Sequence, residues 1–179
     1  MNQTIQNLMT RRSVRAYSDR MPSKEDIEVI CRAGLYAATG MGTQSPIVIA
    51  VTNKAMRDRM SRLNAQVMNT ESDPFYGAPV VLVVAFDKNN VFTYPGGKRD
   101  SGVEDATIVA THMILAAADE GVDSCWINFF DPDKMAEAIG LPENEEILML
   151  LDLGYAAEGA GPLPNHSSRK PLAETVSYL

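Results

Sequence analysis

Apolar residues recur along this chain with two different periods, and the alternation of the two predicts an α+β fold. Between residues 24 and 39 they return every three or four positions, as on an amphipathic helix. Residues 80–86 are instead continuously apolar and rich in β-branched side chains, which favours a strand buried on both faces. The whole pattern predicts about five helices, over 2–10, 24–39, 54–68, 103–120 and 132–140, and four strands, over 47–52, 80–86, 124–130 and 147–153.

Polar residues at the helix ends support several of these boundaries. Ser23 followed by Asp26 has the spacing of a capping box, and Ser101 with Glu104 repeats it before the longest helix. Asp131 precedes a proline, which suits the first position of a helix, and Gly140 suits its end.

The helix predicted over residues 103–120 is apolar on nearly every side. A helix of this kind belongs either at the centre of a large core or in a subunit interface. The sequence alone leaves both possibilities open.

Composition narrows the class of protein. The chain has 179 residues, of which 45% are hydrophobic and 22% charged, so we expect a single globular domain over 1–179 with an extended C-terminal arm over about 159–179. Its formal net charge of −7 disfavours nucleic acid as a partner. No apolar run is long enough to span a bilayer, and the first residues do not resemble a secretory signal. Cys31 and Cys125 are expected to be reduced thiols, which favours a cytoplasmic location.

The chain lacks the motifs of a self-sufficient catalytic or metal site. Neither His112 nor His166 has a second ligand at metal-binding spacing, so no metal site is expected. Glycine-rich dinucleotide and P-loop signatures are absent, as is the serine hydrolase elbow. If the protein is an enzyme, we therefore expect no catalytic side chain and a cofactor that carries the chemistry.

One segment reverses the sign of the overall charge. Residues 11–15, Arg-Arg-Ser-Val-Arg, concentrate three guanidinium groups and a hydroxyl. Guanidinium groups bind phosphate or carboxylate in a bidentate manner, so this is a candidate anion pocket. A solvated cationic turn after a short helix is the alternative.

Five blocks in order resemble the FMN-dependent nitroreductase family, in particular a branch of small members. They are the Arg-Arg-Ser-x-Arg-x-Tyr box at 11–17, and the segments 37–46, 73–79, 121–128 and 168–172. The resemblance implies a central mixed or antiparallel sheet flanked by helices, in an intertwined homodimer.

The resemblance also implies a function and a set of site residues. The function would be an NAD(P)H-dependent reduction of nitroaromatics, quinones or similar acceptors by a ping-pong mechanism, with FMN as cofactor and NADH or NADPH as electron donor. Arg11, Ser13 and Arg169 would hold the FMN phosphate, with Arg12 near the same end and Arg15 at the pyrimidine edge of the flavin. Residues near the isoalloxazine ring or supplied by the second subunit would be Thr39, Gly40, Met41, Gln44, Asn128 and Phe129.

The chain departs from the family pattern in its second block. Gly42 and Pro46 stand where Asn and Trp are usual, and the positions that often supply an Asn and a Lys fall near Asn69 and Asp73. These departures motivate an alternative function, a flavin-binding protein with little turnover that acts in storage, sensing or regulation.

Overall fold

The computed structural model describes residues 2–179 and is built on a four-stranded antiparallel sheet. The strand order is β1-β2-β4-β3. The strands are β1 (Pro46–Val51), β2 (Val80–Asp87), β3 (Asp123–Ile127) and β4 (Glu145–Gly154). The helices are α1 (Gln3–Thr10), α2 (Lys24–Gly34), α3 (Lys54–Met68), α4 (Gly102–Asp119), α5 (Pro132–Ile139) and the short α6 (Leu172–Thr175).

Two hydrophobic cores lie on opposite faces of the sheet. On one face, even-numbered residues of β2 pack against α2 and α4, and on the other its odd-numbered residues pack against α3 and α5. Residues 80–85 of this strand are completely buried. The predicted α+β class and the doubly buried strand are therefore confirmed.

Most of the predicted element boundaries are close to those observed. The capping box of Ser23 and Asp26 is present, Asp131 caps α5 through the amide of Lys134, and Gly140 ends that helix in a left-handed conformation. The prediction missed α6 in the arm and two short 3-10 helices, Gly40–Gly42 and Lys88–Asn90. It also placed the end of β3 three residues too late, at 130 instead of Ile127.

Two local predictions are wrong. The helix predicted to reach residue 39 ends at Gly34, because the next amides bond carbonyls three residues back, as Leu35 does to Arg32 at 3.0 Å, and tighten the turn. Ser101 makes no capping bond to α4. Its hydroxyl instead donates to Asp105 at 2.7 Å, while Glu104 accepts from the hydroxyl of Tyr94.

Helix α4 is held against β2 by a very close approach at its first residue. A Cβ on Gly102 would lie 2.4 Å from the ring of Phe86, so only glycine fits there. Further along, Ala106, Ala110 and Met113 are fully buried in the core. The opposite side still exposes Val103 and Ile108, so the core accounts for only part of the apolar surface of this helix.

Within residues 2–179, none of the helices combines the length and the apolar character that crossing a bilayer would require.

The side chain of Asp152, near the C-terminal end of β4, has no accessible surface. Neither of its oxygens has a hydrogen-bond partner among the described residues, and the buried hydroxyl of Tyr17 is also unpaired. Burial raises the pKa of Asp152 well above its ordinary value, and the charge of Arg57 offsets this only in part. Burial therefore favours the neutral form of this group in the folded protein.

This burial predicts a characteristic pH dependence of stability. Between the ordinary pKa of an aspartate, about 4, and the raised value, the folded state holds one proton more than the unfolded state. The free energy of unfolding should therefore fall as pH rises through this window, by up to about 1.4 kcal/mol per pH unit from this group. In Asp152→Asn this contribution should vanish, which urea unfolding at several pH values between 5 and 8 measures.

Asp87→Asn is the control, because hydrogen bonds from Asn144 and Asn89 lower the pKa of Asp87. Its slope with pH should stay like that of the parent protein. An Asp152→Asn variant with the same slope as the parent would show that Asp152 is ionised in the folded state.

Candidate functional site

The arginine-rich segment lies along the open edge of β3. The amide of Val14 donates to the carbonyl of Ser124 at 3.0 Å, and Ser13 and Ser124 form a parallel bridge. Val14 is fully buried, and its side chain anchors the segment to the sheet. Of the residues on either side of Val14, Ser13 is half-buried and Arg15 is exposed.

A cavity of about 230 Å³ opens beside this segment. Arg11 and Arg12 are half-buried at its wall, whereas Arg15 is exposed. The cavity is lined by Arg11, Arg12, Ser13, Arg15, Leu163, Asn165 and His166. It thus combines three guanidinium groups with hydroxyl and amide donors, which is the chemistry of an anion site.

The C-terminal arm closes one side of this cavity. A guanidinium nitrogen of Arg12, Nη2, donates to the carbonyl of Ala160 at 2.6 Å and ties the arm to the arginine segment. Asn165 and His166 then reach the cavity wall. Sequence reasoning did not identify either residue as part of the site, since a Gly- and Pro-rich tail carries no periodic signal that assigns it a neighbour.

Arg169 lies outside the wall of this cavity. Its Nη1 atom donates to the carbonyls of His166 and Ser168, both at 2.7 Å, and its side chain is exposed. Within one protomer, the structure therefore brings together Arg11, Arg12, Ser13 and Arg15, whereas Arg169 does not line this cavity.

The second block of predicted site residues forms a tight turn elsewhere on the surface. Met41 and Gln44 both have φ values of 53°, in the left-handed region that non-glycine residues rarely adopt. The hydroxyl of Thr39 accepts from the amide of Gln44 at 3.1 Å and closes the turn. Thr39 and Gln44 line a separate cavity of about 390 Å³ between α2, α4 and β1, and Met41 is 83% exposed.

Asn128 and Phe129 come directly after β3. The indole nitrogen of Trp126 donates to the side-chain oxygen of Asn128 at 2.7 Å, which fixes that amide, and the ring of Phe129 is largely exposed. The arginine segment runs parallel to β3, so Arg15 lies toward the end of the strand that carries Asn128.

Asp73 has a structural role, and Asn69 caps a helix. Asp73 pairs with Arg57 and accepts hydrogen bonds from Ser61 and from the amides of Phe75 and Gly77. Burial works to raise its pKa, but the bonds from Ser61 and Arg57 outweigh burial and hold the pKa below its ordinary value. Asn69 ends α3 in a left-handed conformation.

Cys125 lies next to the arginine segment and is buried, which disfavours a reactive thiol. Burial, reinforced by the nearby Asp152, raises its pKa to about 11. The raised pKa favours the protonated thiol at neutral pH, which makes it a poor nucleophile. Both Cys125 and Cys31 are free, as the sequence predicted.

Comparison with known proteins gives a consistent assignment. The family model described as "Nitroreductase family" matches residues 8–155. A nitroreductase family protein from Clostridium difficile 630 has a crystal structure that is 31% identical, with a TM-score of 0.86 over 99% of this chain and 98% of that one.

Two further relatives carry a ligand or an activity in their names. A nitroreductase from Bacteroides fragilis, solved with bound FMN, is 27% identical with a TM-score of 0.78 over the full length of both chains. A NADPH-flavin oxidoreductase from Vibrio harveyi is 27% identical over 164 residues, which are 87% of this chain and 66% of that protein. Since the family model covers most of the chain and the fold agrees along its whole length, the chain belongs to the nitroreductase family.

Proposed function

We propose that this protein is an FMN-dependent oxidoreductase that takes electrons from NADH or NADPH and reduces nitroaromatics, quinones or similar small acceptors. The observation that carries the proposal is the cavity of three guanidinium groups and Ser13 beside β3. The FMN-bound Bacteroides fragilis structure and the NADPH-flavin oxidoreductase of Vibrio harveyi support it.

The residues of the cavity fit the phosphate end of FMN. The chain has a net charge of −7, so this local excess of positive charge stands out. Binding of a phosphate dianion would account for it. Arg11 and Arg12 are half-buried, so their attraction to an anion is screened less than it would be in open solvent. Arg11 and Ser13 are the residues that would bind the phosphate oxygens, while Arg12 would also hold the arm through Ala160.

Other predicted residues fit the flavin ring by their position. The ring, when bound, supplies the electron transfer that no side chain of this protein can perform. Arg15 would place a positive charge at its pyrimidine edge, where it favours added negative charge. Asn128, fixed by Trp126, and Phe129 would orient the ring from the end of β3.

The remaining site residues belong to a homodimer in this proposal. The turn at residues 39–44 and the arginine cavity lie in different parts of one protomer, so a second copy would bring the turn to the flavin. Apolar side chains left open on one protomer support such an interface: Leu35, Met41, Val103 and Ile108 are all exposed. Arg169 does not line the cavity of one protomer, so it would reach the phosphate only if the arm took a different position in the dimer.

We expect the FMN-loaded protein to oxidise NADH or NADPH much faster in the presence of a nitroaromatic or quinone than free FMN does. Steady-state absorbance at the nicotinamide band, with several acceptors and both nucleotides, measures this. A protein that binds FMN but shows no rate above that of free FMN would support the alternative of a flavin-binding protein with little turnover.

Arg11→Ala should weaken FMN but not riboflavin, which has no phosphate. A hydrogen bond between charged groups contributes about 1.5–3 kcal/mol, so the dissociation constant for FMN should rise roughly tenfold to a hundredfold. Fluorescence titration with both flavins measures the difference. Arg59→Ala, an exposed arginine on α3, is the charge-matched control. An Arg11→Ala variant with parental FMN affinity would remove Arg11 from the phosphate site.

Arg15→Met should lower the midpoint potential of the bound flavin, because the lost positive charge stabilises the more negative, reduced cofactor. A charge a few ångströms away at a partly shielded site contributes about 1–4 kcal/mol. For a two-electron couple this is a decrease of roughly 20–90 mV. Spectroelectrochemistry of the FMN-loaded variant measures it, with Arg59→Met as control. An unshifted potential with FMN still bound would place Arg15 away from the ring.

A further inference from the structure

We propose that Asp105 is a positioning residue for the flavin site, because its buried carboxylate holds the turn at residues 39–44 in the shape it presents to the flavin. This inference rests on the proposed function, in which that turn reaches the flavin of the second subunit. Asp105 lies in the first turn of α4 and is 2% exposed.

The carboxylate of Asp105 accepts three hydrogen bonds. One oxygen, Oδ1, accepts a hydrogen bond from the amide of Gly40 at 2.8 Å. The other, Oδ2, accepts from the hydroxyl of Ser101 at 2.7 Å and, at a longer 3.4 Å, from that of Ser45. The hydroxyl of Ser101 in turn accepts from the amide of Phe92 at 3.1 Å. A single acceptor therefore fixes the start and the end of the 39–45 segment to the same helix.

The backbone at Gly40 is pressed against this network. A Cβ built on Gly40 would lie 2.8 Å from both the Cβ and the Oγ atoms of Ser101 and 2.9 Å from the Cβ of Phe92. Such distances leave no room for any side chain, so the turn can reach Asp105 only because residue 40 is glycine. The close contact and the hydrogen bond thus act together on the same peptide.

The turn itself stores strain that something must hold in place. Met41 and Gln44 adopt left-handed backbone conformations without being glycine, and such conformations persist only where the surroundings impose them. Asp105 is the buried group that bonds the turn from below, while the side chain of Met41 points outward with little contact to its own protomer. The turn is bonded on its buried side by Asp105 and is exposed on the other side. It is therefore pre-organised to contact a ligand or a partner on the exposed side.

A carboxylate in this position was not singled out from the sequence, although one signal was present. On the face of α4 that contains Gly102, Ala106 and Val109, Asp105 is the only charged residue among those buried. An isolated acid on an otherwise apolar helix face requires donors from another part of the chain.

The test compares FMN and riboflavin binding in variants of the full-length protein, together with amide hydrogen exchange at Gly40 and light scattering. In Asp105→Ala the Gly40 amide should exchange faster, and the dissociation constants of FMN and riboflavin should both rise at least tenfold and by similar factors. Arg11→Ala, in contrast, should weaken FMN alone. This pattern separates a residue that orients the turn toward the ring from one that binds phosphate.

Two further variants are controls for a general loss of folding. Asp105→Asn keeps an acceptor for the Gly40 amide and should restore riboflavin affinity to within about threefold of the parent. Asp87→Ala removes another carboxylate that accepts two hydrogen bonds, from Asn144 and Asn89, and should leave both flavin affinities unchanged.

The outcomes distinguish the two proposals. If the parent protein binds neither flavin, the proposed function fails and the role of Asp105 fails with it. If the parent binds both flavins as a dimer and Asp105→Ala binds them equally well, only the role of Asp105 is overturned. Should Asp105→Ala not fold, Asp105→Ser takes its place, because its shorter side chain also removes the acceptor of the Gly40 amide. Parental riboflavin affinity in that folded variant would likewise overturn the positioning role.

Discussion

The burial of β2 on both faces is the constraint from which the rest of the architecture follows. Residues 80–85 have no accessible surface, so each face of the sheet must be covered by helices. The coverage by α2 and α4 on one side and by α3 and α5 on the other uses most of the regular structure. Ligand-binding groups are consequently confined to the edges of the sheet and to the turns between elements.

The two halves of the candidate site reflect this confinement. The arginine segment lies at the open edge of β3, where an extended chain can bridge Ser124 and still direct Arg15 outward. The 39–44 turn lies beyond the end of α2, where the helix stops at Gly34 and the chain must pass close to α4. Each half is rigidly connected to the sheet or to a core helix, although neither half is itself part of the core.

Buried and exposed ionisable groups lie close together at this edge of the sheet, and burial decides which of them are neutral. Asp152 and Cys125 are neighbours in paired strands, and burial favours the neutral form of both. Arg11, Arg12 and Arg15 lie at the nearby surface, where no described carboxylate pairs with them at salt-bridge distance. Because the groups beneath them favour the neutral form, the positive charge of these arginines remains available to an anion.

Periodicity by itself determined the fold class, the doubly buried strand and most helix boundaries, because these depend on local hydrophobic pattern and on caps such as Ser23 and Asp131. The residue types of the 11–15 segment also indicated an anion site, since guanidinium chemistry does not depend on context. Only the tertiary structure showed that Asn165 and His166 join that cavity and that Arg169 does not. It alone showed that the Ser101 hydroxyl bonds Asp105 instead of capping the helix. The partner of a hydroxyl depends on which acceptors the fold brings near, and a spacing pattern in the sequence does not contain that information.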